Sequence, residues 1–319
     1  MPRFDLSTFG EGGLRLGVPA GKRIQTANQF DVHVAGAEAN VAATLARLGW
    51  SSTWVSCVAE TPPGERVAHT LRGAGVDLSG VIRKADARTG IYFIEHAQPP
   101  RPTKVFYDRQ NTGTALLLPD EIGWDHLLDA RLIHLTGITA GLSDGCLDIV
   151  GRALAEARGR GVGTSFDVNY RRLLWPPEAA RAALEPLLAD VDTLFCSLRD
   201  AEIVFGLTGD AATVAGDLAG LGSAKRVIVS NGPEGVTGRQ DGETHFEPVR
   251  ETVLLDRAGA GDALVSGVLH GLLKGDFPRG LRYGQTLAAM AMSQFGDRVI
   301  TSSAELETIT ASQANDIER

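Results

Sequence analysis

The run Asp256-Arg257-Ala258-Gly259-Ala260-Gly261-Asp262 gathers the residue types that an anion-transfer site needs. Gly259, Ala260 and Gly261 carry almost no side chain, so their backbone N–H groups can come close to a bound anion. Behind them, DALVSGVLHGLLK over 262–274 repeats Leu264, Val265, Val268, Leu269, Leu272 and Leu273 at one-turn spacing, and Gly275 stops the run. The pattern predicts a strand end at 254–255, a glycine turn, and a helix whose N-terminus faces solvent. Free N–H groups and about half a positive charge at that terminus make the turn an anion hole. Asp262 at its mouth reads either as a helix cap or as a general base that takes a hydroxyl proton while the amides hold charge on a transferred phosphoryl group. The small residues beside it favour the base.

Other residues suit a ligand next to that turn. Gly36 and Ala37 give close backbone access, and Asn40 three residues on can bind a hydroxyl or cap the helix that begins there. Arg109 and Arg171 are fixed cations that can grip a carboxylate in a two-point fork. Tyr92 and Tyr107 sit on two aromatic-rich strands and either cover a substrate or pack a lid. Two patterns lead elsewhere. GVPAGKR at 17–23 lacks the spacing and the hydroxyl of a P-loop. Gly141-Leu-Ser-Asp-Gly145 matches a nucleophile elbow with His245 and His270 downstream, but the strand ahead of it ends at Ile138, too early for an elbow.

These residues need a scaffold. Short apolar, β-branched runs near 53–59, 131–138, 162–168, 193–197 and 226–232 alternate with helical spacing at Ala39–Leu48, Leu147–Arg158 and Pro177–Leu188. Continuously apolar strands alternating with helices predict a mostly parallel, doubly wound sheet covered on both faces. At 88–118 the rhythm changes to two alternating strands around a Gln-Pro-Pro-Arg-Pro turn. With the segment before Gly36 this forms a small antiparallel β lid, spanning about 11–35 and 88–115, on a single unit of 319 residues. A net charge of −8 gives no general attraction to nucleic acid or anionic lipid. No apolar run is long enough to span a membrane, and Cys57, Cys146 and Cys196 form no disulfide or zinc pattern. A cytoplasmic location is expected.

The glycine-rich turn resembles the Asp-Thr-x-Gly-Ala-Gly-Asp signature of the PfkB, or ribokinase-like, carbohydrate kinases. Val34-Ala-Gly-Ala-Glu-Ala-Asn-Val-Ala42 is similar to that family's Gly-Gly-x-x-x-Asn motif, and Val229-Ser-Asn-Gly-Pro-Glu-Gly235 to its strand-to-loop nucleotide motif. The resemblance implies a ribokinase-like fold and transfer of the γ-phosphate of ATP, with Mg²⁺, to a sugar hydroxyl. Asp262 is then the base, and Gly259, Ala260 and Gly261 form the hole. Ser197, Asn231, Gly232, Gly235, Gly259 and Gly261 contact nucleotide, and a homodimer or larger assembly is expected. Gly10-Glu-Gly-Gly-Leu-Arg-Leu16, Phe106-Tyr-Asp-Arg109 and Asp167-Val-Asn-Tyr-Arg-Arg-Leu-Leu-Trp175 resemble the family's 2-keto-3-deoxygluconate kinases. That subgroup implies phosphorylation of 2-keto-3-deoxygluconate to its 6-phosphate. Its substrate would meet Gly36, Ala37, Asn40, Tyr92, Tyr107, Arg109 and Arg171, and the opening segment lacks the aspartate that ribokinases place there for neutral sugar hydroxyls and that would repel a keto acid. The alternatives are a family kinase for fructose, ribose or 2-keto-3-deoxygalactonate, or a non-catalytic nucleotide or sugar sensor.

Three positions depart from the family pattern. Arg257 stands where Thr is usual, Ala37 replaces the second glycine, and Ser197 with Asp200 align with an Asn-x-x-Glu motif associated with Mg²⁺. Asp200 keeps the charge on a shorter arm and is the expected metal ligand, while Asp256 is expected to order the turn.

Overall fold

The structure is a computed structural model that describes residues 2–97 and 100–312. Residues 98 and 99 of the expected Gln-Pro-Pro-Arg-Pro turn lie outside the described residues. The strands are β1 (Phe4–Phe9), β2 (Gly13–Gly17), β3 (Asp31–Ala35), β4 (Ser52–Val55), β5 (Cys57–Ala59), β6 (Ile82–Lys84), β7 (Gly90–Glu95), β8 (Lys104–Asp108), β9 (Ala130–Thr136), β10 (Gly163–Asp167), β11 (Thr193–Ser197), β12 (Arg226–Ser230), β13 (Gly235–Gln240) and β14 (Glu243–Pro248). The longer helices are α1 (Ala37–Arg47), α2 (Pro62–Gly73), α3 (Asp144–Gly159), α4 (Pro177–Leu184), α5 (Ala211–Gly220), α6 (Ala260–Leu273), α7 (Phe277–Met292) and α8 (Ser303–Ala311).

The main sheet runs β14-β13-β12-β11-β10-β9-β1-β4, with β4 through β12 parallel and the β13–β14 hairpin added antiparallel at one edge. Alternation within these strands feeds two cores. Ile133, Leu135, Leu194, Cys196, Val227 and Val229 pack against α3, α4 and α5, whereas Leu132, Phe195 and Ile228 pack against α1, α6 and α7. The chain passes from β1 to β4 on one side and to β9 on the other, so a crevice opens at the C-terminal strand ends.

The lid is a four-stranded sheet in the order β3-β2-β7-β8. Its two hairpin pairings are antiparallel, and β2 joins β7 in parallel register. Local differences from the sequence reading have simple causes. The run at 53–59 splits at Ser56 into β4 and β5, which join different sheets. Pro186 cannot donate an i→i−4 bond, so α4 tightens into a 3₁₀ turn over Glu185–Asp190. No strand forms at 254–255: these leucines are exposed, and the Leu255 amide instead bonds the Met292 carbonyl at the end of α7.

Candidate active site

A cavity of about 540 Å³ lies between the lid and the C-terminal ends of the parallel strands. Of the expected residues, Gly36, Ala37, Asn40, Tyr92, Tyr107, Arg109, Arg171, Ser197, Asp200, Gly259, Gly261 and Asp262 line it. Ala260 is not on the wall, and Asn231, Gly232 and Gly235 follow the cavity residue Ser230 on a loop outside it. There Asn231 Nδ2 donates to Glu234 Oε2 at 2.6 Å.

The turn before α6 has the expected form. Gly259 caps the helix with φ of 79°, a left-handed conformation, and no side chain caps it. Among the described residues, the Gly259 and Gly261 amides have no hydrogen-bond acceptor. Asp262 is therefore not the N-cap: it stands in the first helical turn and accepts from Asn40 Nδ2 at 2.7 Å. Burial pushes its carboxyl up to about 7, against the lowering effect of Asn40 and the Arg171 charge. A group that ionises near neutrality suits a base that must lose and regain one proton.

Several site residues lie outside the sequence reading. Asp167, at the end of β10, is raised to about 8, first by burial and then by the charges of Asp262 and Asp200. Glu38, in the first turn of α1, is raised to about 7 by burial although Thr136 Oγ1 donates to it at 2.7 Å. Both stand inside segments that carry the family resemblance, at a strand end and a helix start, but neither was among the expected site residues. Ser197 Oγ accepts the Asp200 amide at 3.0 Å, so these two make a tight turn, and burial again raises Asp200. Asp167 and Asp200 have no ion-pair partner among the described residues, and their charges oppose each other. Mg²⁺ binds through one or two carboxylates plus phosphate oxygens, so this donor set fits it. No cluster of three or more ligating side chains occurs among the described residues.

The opening segment does present one carboxylate to the cavity, that of Glu11. Glu11 accepts from the Thr112 hydroxyl and pairs with Arg109 Nη2 at 2.8 Å. The Arg109 charge is thus largely offset. Arg171 has no ion pair among the described residues; one guanidinium N–H reaches only the Tyr170 carbonyl, at 3.3 Å. Tyr92 and Tyr107 face each other across β7 and β8 with ring centroids 5.6 Å apart. The elbow reading fails: β9 ends at Thr136, and Ser143 caps α3 by accepting the Cys146 amide at 3.1 Å. His270 is occupied by the Trp50 indole at 2.8 Å.

An open α/β sheet, a β lid and a carboxyl beside the open amides of a helix N-terminus are the features of a phosphotransferase of the carbohydrate kinase class. The chain belongs to the pfkB family of carbohydrate kinases, whose family model matches residues 13–304. It is 40% identical over 306 residues to the 2-dehydro-3-deoxygalactonokinase of Haloferax volcanii, covering 96% of each chain. With the 2-dehydro-3-deoxygluconokinase of Thermoproteus tenax it shares 32% identity over 279 residues, 86% of this chain and 83% of that one. The crystal structure of the Thermotoga maritima 2-dehydro-3-deoxygluconokinase superposes with a TM-score of 0.92 at 32% identity, covering 97% of this chain and 100% of that one. This protein is an ATP-dependent carbohydrate kinase, and none of its described helices is long and apolar enough to cross a membrane.

Proposed function

We propose that this kinase phosphorylates the terminal hydroxyl of a 2-keto-3-deoxy sugar acid, giving the 6-phosphate. The observation that carries the reading is the placement in one cavity of Asp262, the open Gly259 and Gly261 amides, and Arg171, which forms no ion pair among the described residues. Asp262 takes the hydroxyl proton, and the Gly259 and Gly261 amides hold the charge of the phosphoryl group in transit; the Ala260 amide, bonded to the Arg257 carbonyl at 3.4 Å, has no part in it. Arg171 grips the substrate carboxylate, with Arg109 beside it. Gly36, Ala37 and Asn40 contact the sugar hydroxyls, and Tyr92 and Tyr107 cover the chain. Ser197 and the loop of Asn231, Gly232 and Gly235 face the nucleotide. Asp200, with Asp167, would hold Mg²⁺, which when bound offsets charge on the phosphate oxygens.

The gluco epimer, 2-keto-3-deoxygluconate, is supported by the segments around Arg15, Arg109 and Arg171 and by the relatives of that name. The galacto epimer is a second reading, favoured by the 40% identical relative. Pairing through the lid into a homodimer or larger assembly is part of the proposal, supported by Phe106 on β8, which is 51% exposed.

The test is turnover with Mg-ATP on both keto acids, fructose and ribose, read as ADP release. Turnover of a keto acid, reduced about 10²- to 10⁴-fold in Asp262→Asn with folding intact, is the expected result. Preference for fructose or ribose would refute the sugar-acid reading, and tight binding without turnover would favour a sensor.

A further inference from the structure

Beneath the lid, side chains from four separate stretches of chain meet around one guanidinium. Arg15, in the middle of β2, is 1% exposed. Its Nη1 donates to Asp297 Oδ1 at 2.7 Å, and its Nη2 donates to Asp256. Nη2 also lies 2.8 Å from His96 Nε2, and the Tyr92 hydroxyl donates to the other Asp297 oxygen. Asp256 in turn accepts the Ala258 amide at 3.0 Å and the Gly296 amide at 3.2 Å. The Asp297 carbonyl oxygen occupies the space a Cβ on Gly259 would need. Arg15 therefore stands one residue away from both the cap of the anion hole and a tyrosine of the cavity wall.

An apolar contact would fasten the lid with less desolvation than a buried ion triad. What a guanidinium adds is direction, because its planar fork fixes two carboxylates at set angles, which a point charge does not. The two carboxylates it holds belong to the two segments that shape the anion hole.

We propose that Arg15 is a positioning residue for phosphoryl transfer, holding the anion-hole turn through Asp256 and aiming Tyr92 through Asp297, so that lid and anion hole take their competent geometry together. This rests on the functional reading of Tyr92, Gly259 and Gly261 given above. Hydrogen exchange of the ligand-free protein and steady-state kinetics on Arg15→Gln and Arg15→Lys test it. In Arg15→Gln, the hydrogen-bonded amides of Asp256, Ala258 and Gly296 and those of 90–95 should all exchange about tenfold faster or more, while those of β9 and β10 keep their rates. Its kcat should fall about 10²-fold, the scale of a misplaced reacting group, with KM for ATP changing less. Arg15→Lys, which keeps the charge but loses the fork, should fall between the two, and it carries the same readouts if Arg15→Gln does not fold. Faster exchange confined to the lid, or a wild-type kcat in both variants, would overturn the inference. If the wild-type protein turns over no sugar acid, the functional reading falls, and the exchange pattern by itself decides the role of Arg15.

Discussion

As the proposed base, Asp262 would have to be ionised to accept a proton, and its carboxyl is pushed up to about 7. The acid limb of kcat/KM should therefore rise with a slope of one proton and level off above about pH 7. Asn40 Nδ2 bonds the ionised form, so Asn40→Ala should move that limb to higher pH; an unmoved limb would mean that another group titrates. The two arginines should separate as well. Because Glu11 already offsets Arg109, Arg171→Ala should raise KM for a keto acid by more than Arg109→Ala does, and neither should weaken a neutral sugar as much. Equal effects on acid and neutral substrates in steady-state assays would remove Arg171 from carboxylate binding.

The proposed anion hole at the N-terminus of α6 depends on the turn before it, which leaves the Gly259 and Gly261 amides uncovered. Gly259 holds a left-handed φ, and a Cβ there would stand 1.9 Å from the Asp297 carbonyl oxygen. Gly259→Ala should cost about 1–3 kcal/mol in backbone strain alone, with more from the clash, and should lower both Tm and kcat. At Gly261 a Cβ meets nothing within 4 Å. Gly261→Ala should keep its Tm in a thermal melt, so any loss of rate there reports on the anion and not on folding. Asp256 belongs to this element too: through the Ala258 and Gly296 amides it orders the turn, as its place in the sequence led one to expect.

Across the whole molecule, the cavity gathers acid groups that repel one another. Glu38, Asp167 and Asp262 stay protonated to about 7, 8 and 7, whereas carboxyls of an unfolded chain have released their protons by about pH 5. The folded state thus binds more protons in this interval, so the stability these groups contribute is full below about pH 4 and is lost as pH rises through 7–8. Ligand-free protein should melt at a lower temperature at pH 8.5 than at pH 5.5, and Asp167→Asn should flatten the decline. A melting temperature that climbs over this range would show that other groups dominate.

The sequence by itself determined the parallel sheet, the lid and the helix behind the glycine turn, because period-two and period-3.6 patterns and glycine turns are local properties of the chain. It also marked part of the cavity wall, since glycine, asparagine, arginine and aspartate at strand ends and helix starts point to those places. The tertiary structure alone decided which charges are offset and which are not. Glu11 meets Arg109 from 98 residues away, and Arg15 reaches Asp256 and Asp297 across 241 and 282 residues. The same holds for the raised carboxyls, since burial and opposed charge come from neighbours that only folding brings together. Short-range pattern carries no record of such pairings, because the sign and distance of a charge across the cavity depend on how two sheets and a helix pack.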